Sequence, residues 1–196
     1  MIEQVHGHLS ECELQKIKEI IIGQYHRYLD LHDSPQFQAM FADEYTPHKQ
    51  QYGISWAISS GFPSGHKILD FEVERLKYGR GHVRPCLIKK EMELLILNSS
   101  VNMEAEYLHE RYKYNSNNFK NEKLFGYILF SVDHDKLKEI TMCLPNEKGK
   151  VINKEILFDS KSPLILYEGG LSMSHLIPDN IAKCSGASSA SSTTGQ

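Results

Sequence analysis

Cysteine is scarce in this sequence, and the few cysteines are far apart. No two of them form a Cys-x-x-Cys pair, which is the spacing expected for a zinc site or a redox motif. The chain also shows no export signal, so buried free thiols are expected rather than disulfides. The four cysteines are Cys12, Cys86, Cys143 and Cys184.

Long apolar runs and a strong charge of one sign are lacking as well. No run approaches the ~20 residues that a helix needs to span a bilayer. The N-terminal residues contain no basic stretch followed by an apolar one, so no signal peptide is expected. The formal net charge of −3 argues against bulk attraction to nucleic acid or to an anionic membrane, although it is compatible with a local basic patch. We therefore expect a cytoplasmic protein that does not bind a membrane.

What the chain does have is enough apolar material for a core. Its 196 residues are 40% hydrophobic and 10% aromatic, which suits one domain of ordinary size. We predict a single α+β domain over residues 1–184 and a disordered Ser-rich tail over residues 185–196, whose composition cannot build a core. The content of Lys, Ile, Asn and Glu is typical of AT-rich bacterial or phage genomes.

Residues 124–159 have the clearest structural pattern. Three β-compatible runs are separated by two polar turns, which lie at residues 134–136 and 145–150. Such a pattern is typical of an antiparallel meander. Because its strands are apolar and its charges lie in the turns, we interpret the meander as scaffold rather than as an active site. A further strand is predicted after it, over residues 163–167.

Two helices are predicted near the N-terminus. Ser10 and Glu13 have the form of a capping box at the start of the first helix. After them, apolar residues recur at steps of three and four, which is typical of one face of a helix. Ser34 and Pro35 suit the N-cap and the first position of a second helix, and Pro47 is expected to end that helix. The apolar face of the first helix comprises Leu14, Ile17, Ile21, Tyr25 and Tyr28.

The middle of the chain contains the remaining predicted elements. Alternation of side-chain types predicts a strand over residues 52–58 and favours another over residues 68–76, where Leu69, Val73 and Leu76 would also fit a short helix. One long strand is expected over residues 86–97, and Ser100 is placed to cap a helix over residues 101–114. The predicted architecture is α+β, with two N-terminal helices and one mid-chain helix packed on a mostly antiparallel sheet that ends in a β-meander.

A basic loop is the first candidate site, because five potentially cationic side chains fall within ten residues. Glycines in it let the backbone approach a ligand closely, and arginines can bind carboxylate or phosphate through two parallel hydrogen bonds. We therefore predict that the loop binds a protein or another anionic partner. The alternative is a solvated hairpin loop whose charges keep the end of a sheet soluble. The predicted binding residues are Arg75, Lys77, Arg80, His82 and Arg84. Gly79 and Gly81 stand between them in the sequence.

Carboxylates on the predicted strands form the second candidate site. Asp70 lies in one predicted strand, and Glu91 and Glu93 lie in a later one. In its order of elements this region is similar to the core of the restriction-endonuclease-like superfamily, where an acidic residue and a Glu-x-Lys motif hold a divalent metal. The resemblance implies a magnesium-dependent nuclease that uses these three carboxylates, although no lysine stands two places after either glutamate. The alternative is ordinary charge on the wet face of a strand.

The remaining motifs favour a function without catalysis. No spacing among the ten histidines supports a metal site, and no serine or cysteine stands in the context of a catalytic elbow or triad. We predict a small cytoplasmic binding protein, encoded by a phage or another mobile element, that docks a protein or anionic partner through the basic loop and uses no cofactor. Nucleic acid is a less favoured partner. The alternative function is the metal-dependent nuclease, with Mg²⁺ as its cofactor.

Overall fold

The computed structural model describes residues 9–41, 47–78, 82–90, 92–99, 108–115 and 123–161. All of these belong to one unit, which comprises residues 1–162. Its helices are α1 (Glu11–His32), α2 (Pro35–Phe41), α3 (Pro47–Ser60) and α4 (His109–Tyr112), and α4 continues into a 3₁₀ turn, Lys113–Asn115. Its strands are β1 (Lys67–Ile68), β2 (Phe71–Tyr78), β3 (His82–Lys89), β4 (Met92–Asn98), β5 (Leu124–Asp133), β6 (Lys136–Pro145) and β7 (Val151–Asp159).

These strands form one sheet, in which they lie in chain order from β1 to β7. Neighbouring strands are antiparallel except β4 and β5, which are parallel, with Met92 opposite Leu124. Parallel neighbours need a connection that crosses over the sheet, and α4 lies in that connection. The last three strands form the predicted meander. The predicted α+β class, the mostly antiparallel sheet and the meander are therefore confirmed.

Apolar side chains on the two faces of the sheet belong to two separate clusters. Strand β4 shows the division most clearly, because it is buried on both faces. Leu94 and Ile96 belong to the cluster that includes the buried residues of α1 and α3. Leu95 and Leu97 belong to the other cluster, which includes Tyr112 of α4. The sheet is thus a middle layer, with α1 and α3 on one side and the α4 segment on the other.

The first two helices begin where the sequence predicts. The Ser10 hydroxyl accepts a hydrogen bond from the Glu13 amide at 3.2 Å, and a Glu13 carboxylate oxygen accepts one from the Ser10 amide at 2.8 Å. Both halves of the capping box therefore form. Helix α2 begins at Pro35, and the Ser34 hydroxyl accepts a hydrogen bond from the Phe37 amide at 3.3 Å. Each cap satisfies an amide that has no partner within its helix, which stabilises the helix by about 1 kcal/mol.

Residues 52–58 lie within a helix, so the predicted strand there is wrong. Pro47, which was expected to end the second helix, occupies the first position of α3, where the missing amide hydrogen is not needed. Ile54 and Ile58 are one helical turn apart and are fully buried, whereas Trp56 between them is 72% exposed. A strand would have placed all three side chains on one face. The burial of one helical face beside α1 therefore decides the local structure.

Residues 86–97 form two strands rather than the one that was predicted. Strand β3 ends at Lys89 and β4 begins at Met92, and these two residues are opposite each other in the antiparallel register. A second reversal separates β1 from β2 at Leu69, whose φ is +53°. Neither reversal contains glycine or proline, so the sequence gives no strong turn signal at either place.

Some of the predicted elements lie outside the described residues. Of the helix predicted over residues 101–114, the structure describes the last turns, where α4 is helical. The structure does not describe the strand predicted over residues 163–167 or the tail predicted over residues 185–196. The predicted end of the domain at residue 184 therefore stays a prediction.

Cys86 and Cys143 are buried free thiols, as predicted. In the part of the chain that the structure describes, no helix has the length and apolar character needed to cross a membrane.

Candidate functional site at the outer edge of strand β2

The basic residues that the structure describes lie on both strands of the hairpin β2–β3. Lys77 is opposite Val83 in the register, whereas Arg84 is opposite Leu76. Directly opposed side chains point to the same face of a sheet, and the faces alternate along a strand. Arg75 and Lys77 therefore share one face, and Arg84 lies on the other. We call Arg75 and Lys77 the basic pair.

The end of the hairpin is described only in part. Arg80 and its neighbours Gly79 and Gly81 lie outside the described residues, and His82 is placed by its backbone pairing with Tyr78. The structure thus brings the basic pair together and separates it from Arg84. Whether all five predicted binding residues contact one partner stays a prediction.

Arg75 also contacts the end of helix α3. Its Nη2 atom donates a hydrogen bond to the carbonyl oxygen of Ser59 at 3.2 Å. A cation is favourable there, because the last carbonyls of a helix lack intrahelical partners and carry the negative end of the helix dipole. Trp56 stands three residues before Ser59 and is 72% exposed. Trp56 is thus an exposed aromatic residue of the helix whose last turn binds Arg75.

Sequence reasoning missed Trp56 as a surface residue, because residues 52–58 were predicted as a strand. Tyr52 is 58% exposed and stands four residues before Trp56, so both lie on one side of the helix. If the segment is treated as a helix, the four-residue spacing of Tyr52 and Trp56 indicates that the two aromatic side chains share one face.

The two faces of β2 carry opposite charge. Glu72 and Glu74 alternate with the basic pair along the strand and so lie on the other face. On that face Cys86 is opposite Glu74. Burial, together with the nearby carboxylates of Glu93 and Glu74, raises the pKa of the Cys86 thiol to about 12 against the opposing effect of Arg111 and Lys123. The positive charges of β2, on Arg75 and Lys77, thus lie on the face that α3 borders, and its negative charges lie on the other face.

Among the residues that the structure describes, nothing pairs with the outer edge of β2 beyond its first three residues. Strand β1 pairs only with Phe71 and Glu72. The edge is still covered at Val73, whose amide donates to the His66 carbonyl at 2.9 Å and whose carbonyl accepts from the Gly65 amide at 2.8 Å. Every second residue of an antiparallel strand directs its amide and carbonyl to the same side, so those of the basic pair also point outward. Within the described ranges, no strand pairs with them there.

The carboxylates of the nuclease hypothesis lie in different surroundings. Glu93 is 4% exposed on the central strand β4, and its carboxylate binds Arg111 Nε at 2.8 Å and Lys123 Nζ at 2.6 Å. Asp70 is exposed in the turn before β2, and Glu91 lies outside the described residues. Among the residues that the structure describes, no three Asp, Glu, His or Cys side chains are grouped so that they could hold a metal ion. The nuclease function thus stays a prediction.

The ion pairs of Glu93 belong to a polar network that holds the α4 segment on the sheet. The hydroxyl of buried Tyr127 donates to the hydroxyl of Tyr112 at 2.6 Å. The side-chain amide of Asn115 donates to the carbonyl oxygens of Phe125 at 2.8 Å and Pro145 at 2.7 Å. Sequence reasoning missed this network, because its partners are brought together only by the crossover between β4 and β5. Its hydrogen bonds and ion pairs join the α4 segment to strands β4, β5 and β6, which indicates a structural role.

A second buried ion pair joins α1 to the sheet. Lys89 Nζ binds the two carboxylate oxygens of Glu13 at 2.8 and 3.0 Å, and it lies 4.8 Å from the centre of the Phe71 ring. Glu13 is also the capping-box residue of α1, so one carboxylate fixes the start of the helix to the end of β3. Neither buried ion pair leaves a carboxylate open for a ligand.

Comparison with known proteins gives no match to a family model, to a curated protein or to a solved structure. The function is therefore argued from the residues of this chain.

Proposed function

We propose that this protein is a non-enzymatic binding protein that docks an anionic partner through the hairpin β2–β3. The observation that carries the proposal is the position of Arg75 and Lys77, exposed side by side on one face of an open strand edge. A guanidinium and an ammonium group so placed suit carboxylates or phosphates. Arg80, His82 and Arg84 belong to the same proposed binding region, because they occupy the rest of the hairpin.

A protein partner with an acidic surface fits this hairpin best. The basic pair is a local feature of a chain whose net charge is −3, which favours specific docking over bulk attraction to nucleic acid. Location in the cytoplasm and origin in a phage or another mobile element are parts of the same proposal, and they rest on composition.

The experiment that tests the proposal is charge reversal in the hairpin. Lys77→Glu together with Arg84→Glu reverses one charge on each of its faces. We expect the full-length double variant to capture its protein partner at least about tenfold less well, since about 1.4 kcal/mol of lost binding free energy suffices for that and charge-assisted hydrogen bonds contribute roughly as much. The measurement is quantitative mass spectrometry of the proteins captured by the tagged chain.

The matched control is Lys136→Glu together with Lys148→Glu, which makes the same charge change at exposed residues of the meander. It should capture as much partner as the unaltered protein. Equal capture by the hairpin variant and the control, at unchanged melting temperature, would show that the hairpin does not bind the partner.

The metal-dependent nuclease remains the alternative proposal, with Asp70, Glu91 and Glu93 as the catalytic carboxylates and Mg²⁺ as cofactor. The ion pairs of Glu93 do not favour it, because a carboxylate that two cations already neutralise is a poor ligand for a further cation. Cleavage of DNA in the presence of Mg²⁺ that is lost in Asp70→Asn would support the nuclease.

A further inference from the structure

We propose that the outer edge of β2 binds an extended acidic peptide as an additional strand of the sheet. The inference rests on the proposed function and names its partner class: a protein segment in which acidic residues alternate with uncharged ones. Three features of the described residues carry it, namely the open backbone edge, the spacing of the basic pair and an exposed valine on the same face.

The backbone of β2 offers the hydrogen bonds that a new strand needs. Beyond Val73, whose amide and carbonyl are bonded to the turn before β1 and β2, the outward amides and carbonyls are those of Arg75 and Lys77. Donors and acceptors alternate along such an edge, and another extended backbone presents the matching set. A phosphodiester backbone offers acceptors but no amide donors, so it matches only half of this edge. The edge therefore favours a peptide over a nucleic acid.

The side chains of the basic pair select the charge of that peptide. Because Arg75 and Lys77 are two residues apart on one strand, they are separated along it by about 6.4–6.8 Å. Two acidic side chains at positions i and i+2 of an added strand have the same separation and lie on the same face. The negative residues of β2, Glu72 and Glu74, are on the opposite face and do not oppose these contacts. An alternating acidic segment thus pairs with both cations at once.

The same face also has apolar surface that a partner can cover. Val83, opposite Lys77, is 40% exposed. Arginine, present there as Arg75, is typical of the residues that dominate binding free energy at protein interfaces. Lysine on an edge strand can also serve to prevent pairing, and the experiment separates that role from binding.

Isothermal titration calorimetry measures the binding, with the full-length protein titrated with a synthetic peptide in which glutamate alternates with threonine. The comparison probes are a peptide of the same composition with its glutamates in one block, the alternating peptide with a central proline, and a single-stranded oligothymidylate of equal charge. We expect the alternating peptide to bind saturably, and to slow hydrogen exchange of the Arg75 and Lys77 amides. The block and proline peptides should bind at least about tenfold more weakly, because they lose the charge spacing or the ladder.

Two single variants provide the matched test of the basic pair. Lys77→Glu should weaken binding of the alternating peptide at least about tenfold, whereas Lys148→Glu, in the exposed turn before β7, should leave it within about twofold. Absence of saturable binding of the alternating peptide overturns the inference, as does equal binding of the block peptide or tighter binding of the oligothymidylate. Equal weakening by both variants also overturns the added strand, because it would reflect the change in net charge rather than the position of Lys77. Loss of partner capture in the hairpin double variant is a separate result, so failure of the proposed function is distinguishable.

Discussion

Glu93 carries a negative charge into the interior of the sheet, where it is 4% exposed. Its charge is tolerated there because Arg111 and Lys123 each bind one carboxylate oxygen. Both cations are partly exposed, at 27% and 29% of their side chains, so they can recover some hydration if the carboxylate is lost. The carboxylate itself has no such recourse, so the tolerance of its buried charge depends on these two partners.

Glu93→Gln should lower the free energy of unfolding by about 1–3 kcal/mol, since it keeps the shape of the side chain but leaves two cations without their counter-ion. Urea denaturation measures the difference. The control, Glu147→Gln in the exposed turn before β7, should stay within about 0.5 kcal/mol of the unaltered protein. Equal stability of the two variants would mean that Glu93 is not the anchor of this network.

Two glycines with the same backbone conformation differ in what surrounds them. Gly149 has φ +80° and Gly65 has φ +77°. A Cβ at Gly149 would lie 2.6 Å from Cε2 of Tyr112, whereas one at Gly65 would have no atom within 4 Å. Tyr112 is buried on the sheet and cannot move away easily. Gly149 is therefore needed both for its φ and for the contact between the β6–β7 turn and α4.

Gly65→Ala and Gly149→Ala should each lose about 1–2 kcal/mol of stability from the left-handed backbone conformation. Gly149→Ala should lose a further 1–3 kcal/mol or so, because the added methyl group overpacks against the Tyr112 ring. Urea denaturation of the two variants side by side isolates this steric part. Equal losses of stability in the two variants would show that Gly149 does not pack closely against the Tyr112 ring.

At the scale of elements, helix α3 shows where tertiary contacts override a local pattern. Residues 52–58 alternate in a way that suits a strand, but only Ile54, Ala57 and Ile58 are buried, which is helical spacing. The apolar face of α1 supplies the surface against which this helix packs. The meander and the capping box were predicted correctly, because turn residues and caps act over a few neighbouring positions. Packing between helices distant in the chain leaves no such local signal.

Alanine substitution in α3 checks the helix. Ile58→Ala should destabilise the protein by about 2–5 kcal/mol, since it removes a fully buried side chain, whereas Trp56→Ala should stay within about 1 kcal/mol because its ring is exposed. Thermal and urea denaturation measure both. In a strand the two residues would share one face, so similar losses at the two positions would contradict the helix.

At the scale of the whole molecule, the sheet has a buried centre, and its outer edge on β2 is open as far as the described residues go. Strands β4, β5 and β6 have neighbours on both sides and apolar residues on both faces. Strand β2, by contrast, is uncovered along its outer edge from Glu74 onward among the described residues. Stability should therefore fall from the centre of the sheet to β2, and the proposed binding edge lies where the structure is least protected.

Hydrogen exchange tests this gradient in the protein without a partner. The amides of Leu95 and Ile128, in the two central parallel strands, should exchange slower than those of Arg75 and Lys77 by roughly two orders of magnitude or more. Amide-resolved exchange followed by NMR gives the rates. Comparable protection of Arg75 and Lys77 would mean that their edge is already covered, and the added strand would then have no place to bind.

The sequence by itself determined the α+β class, the caps of α1 and α2, and the meander, because each depends on residues close together in the chain. It also identified Arg75 and Lys77 as part of a basic cluster. Only the tertiary structure decided that α3 is a helix, that β4 and β5 run parallel and that Glu93 is neutralised by Arg111 and Lys123. It likewise divided the basic cluster between two faces of the hairpin. These features depend on contacts between distant segments, and burial on one face or the other of the sheet is what selects them.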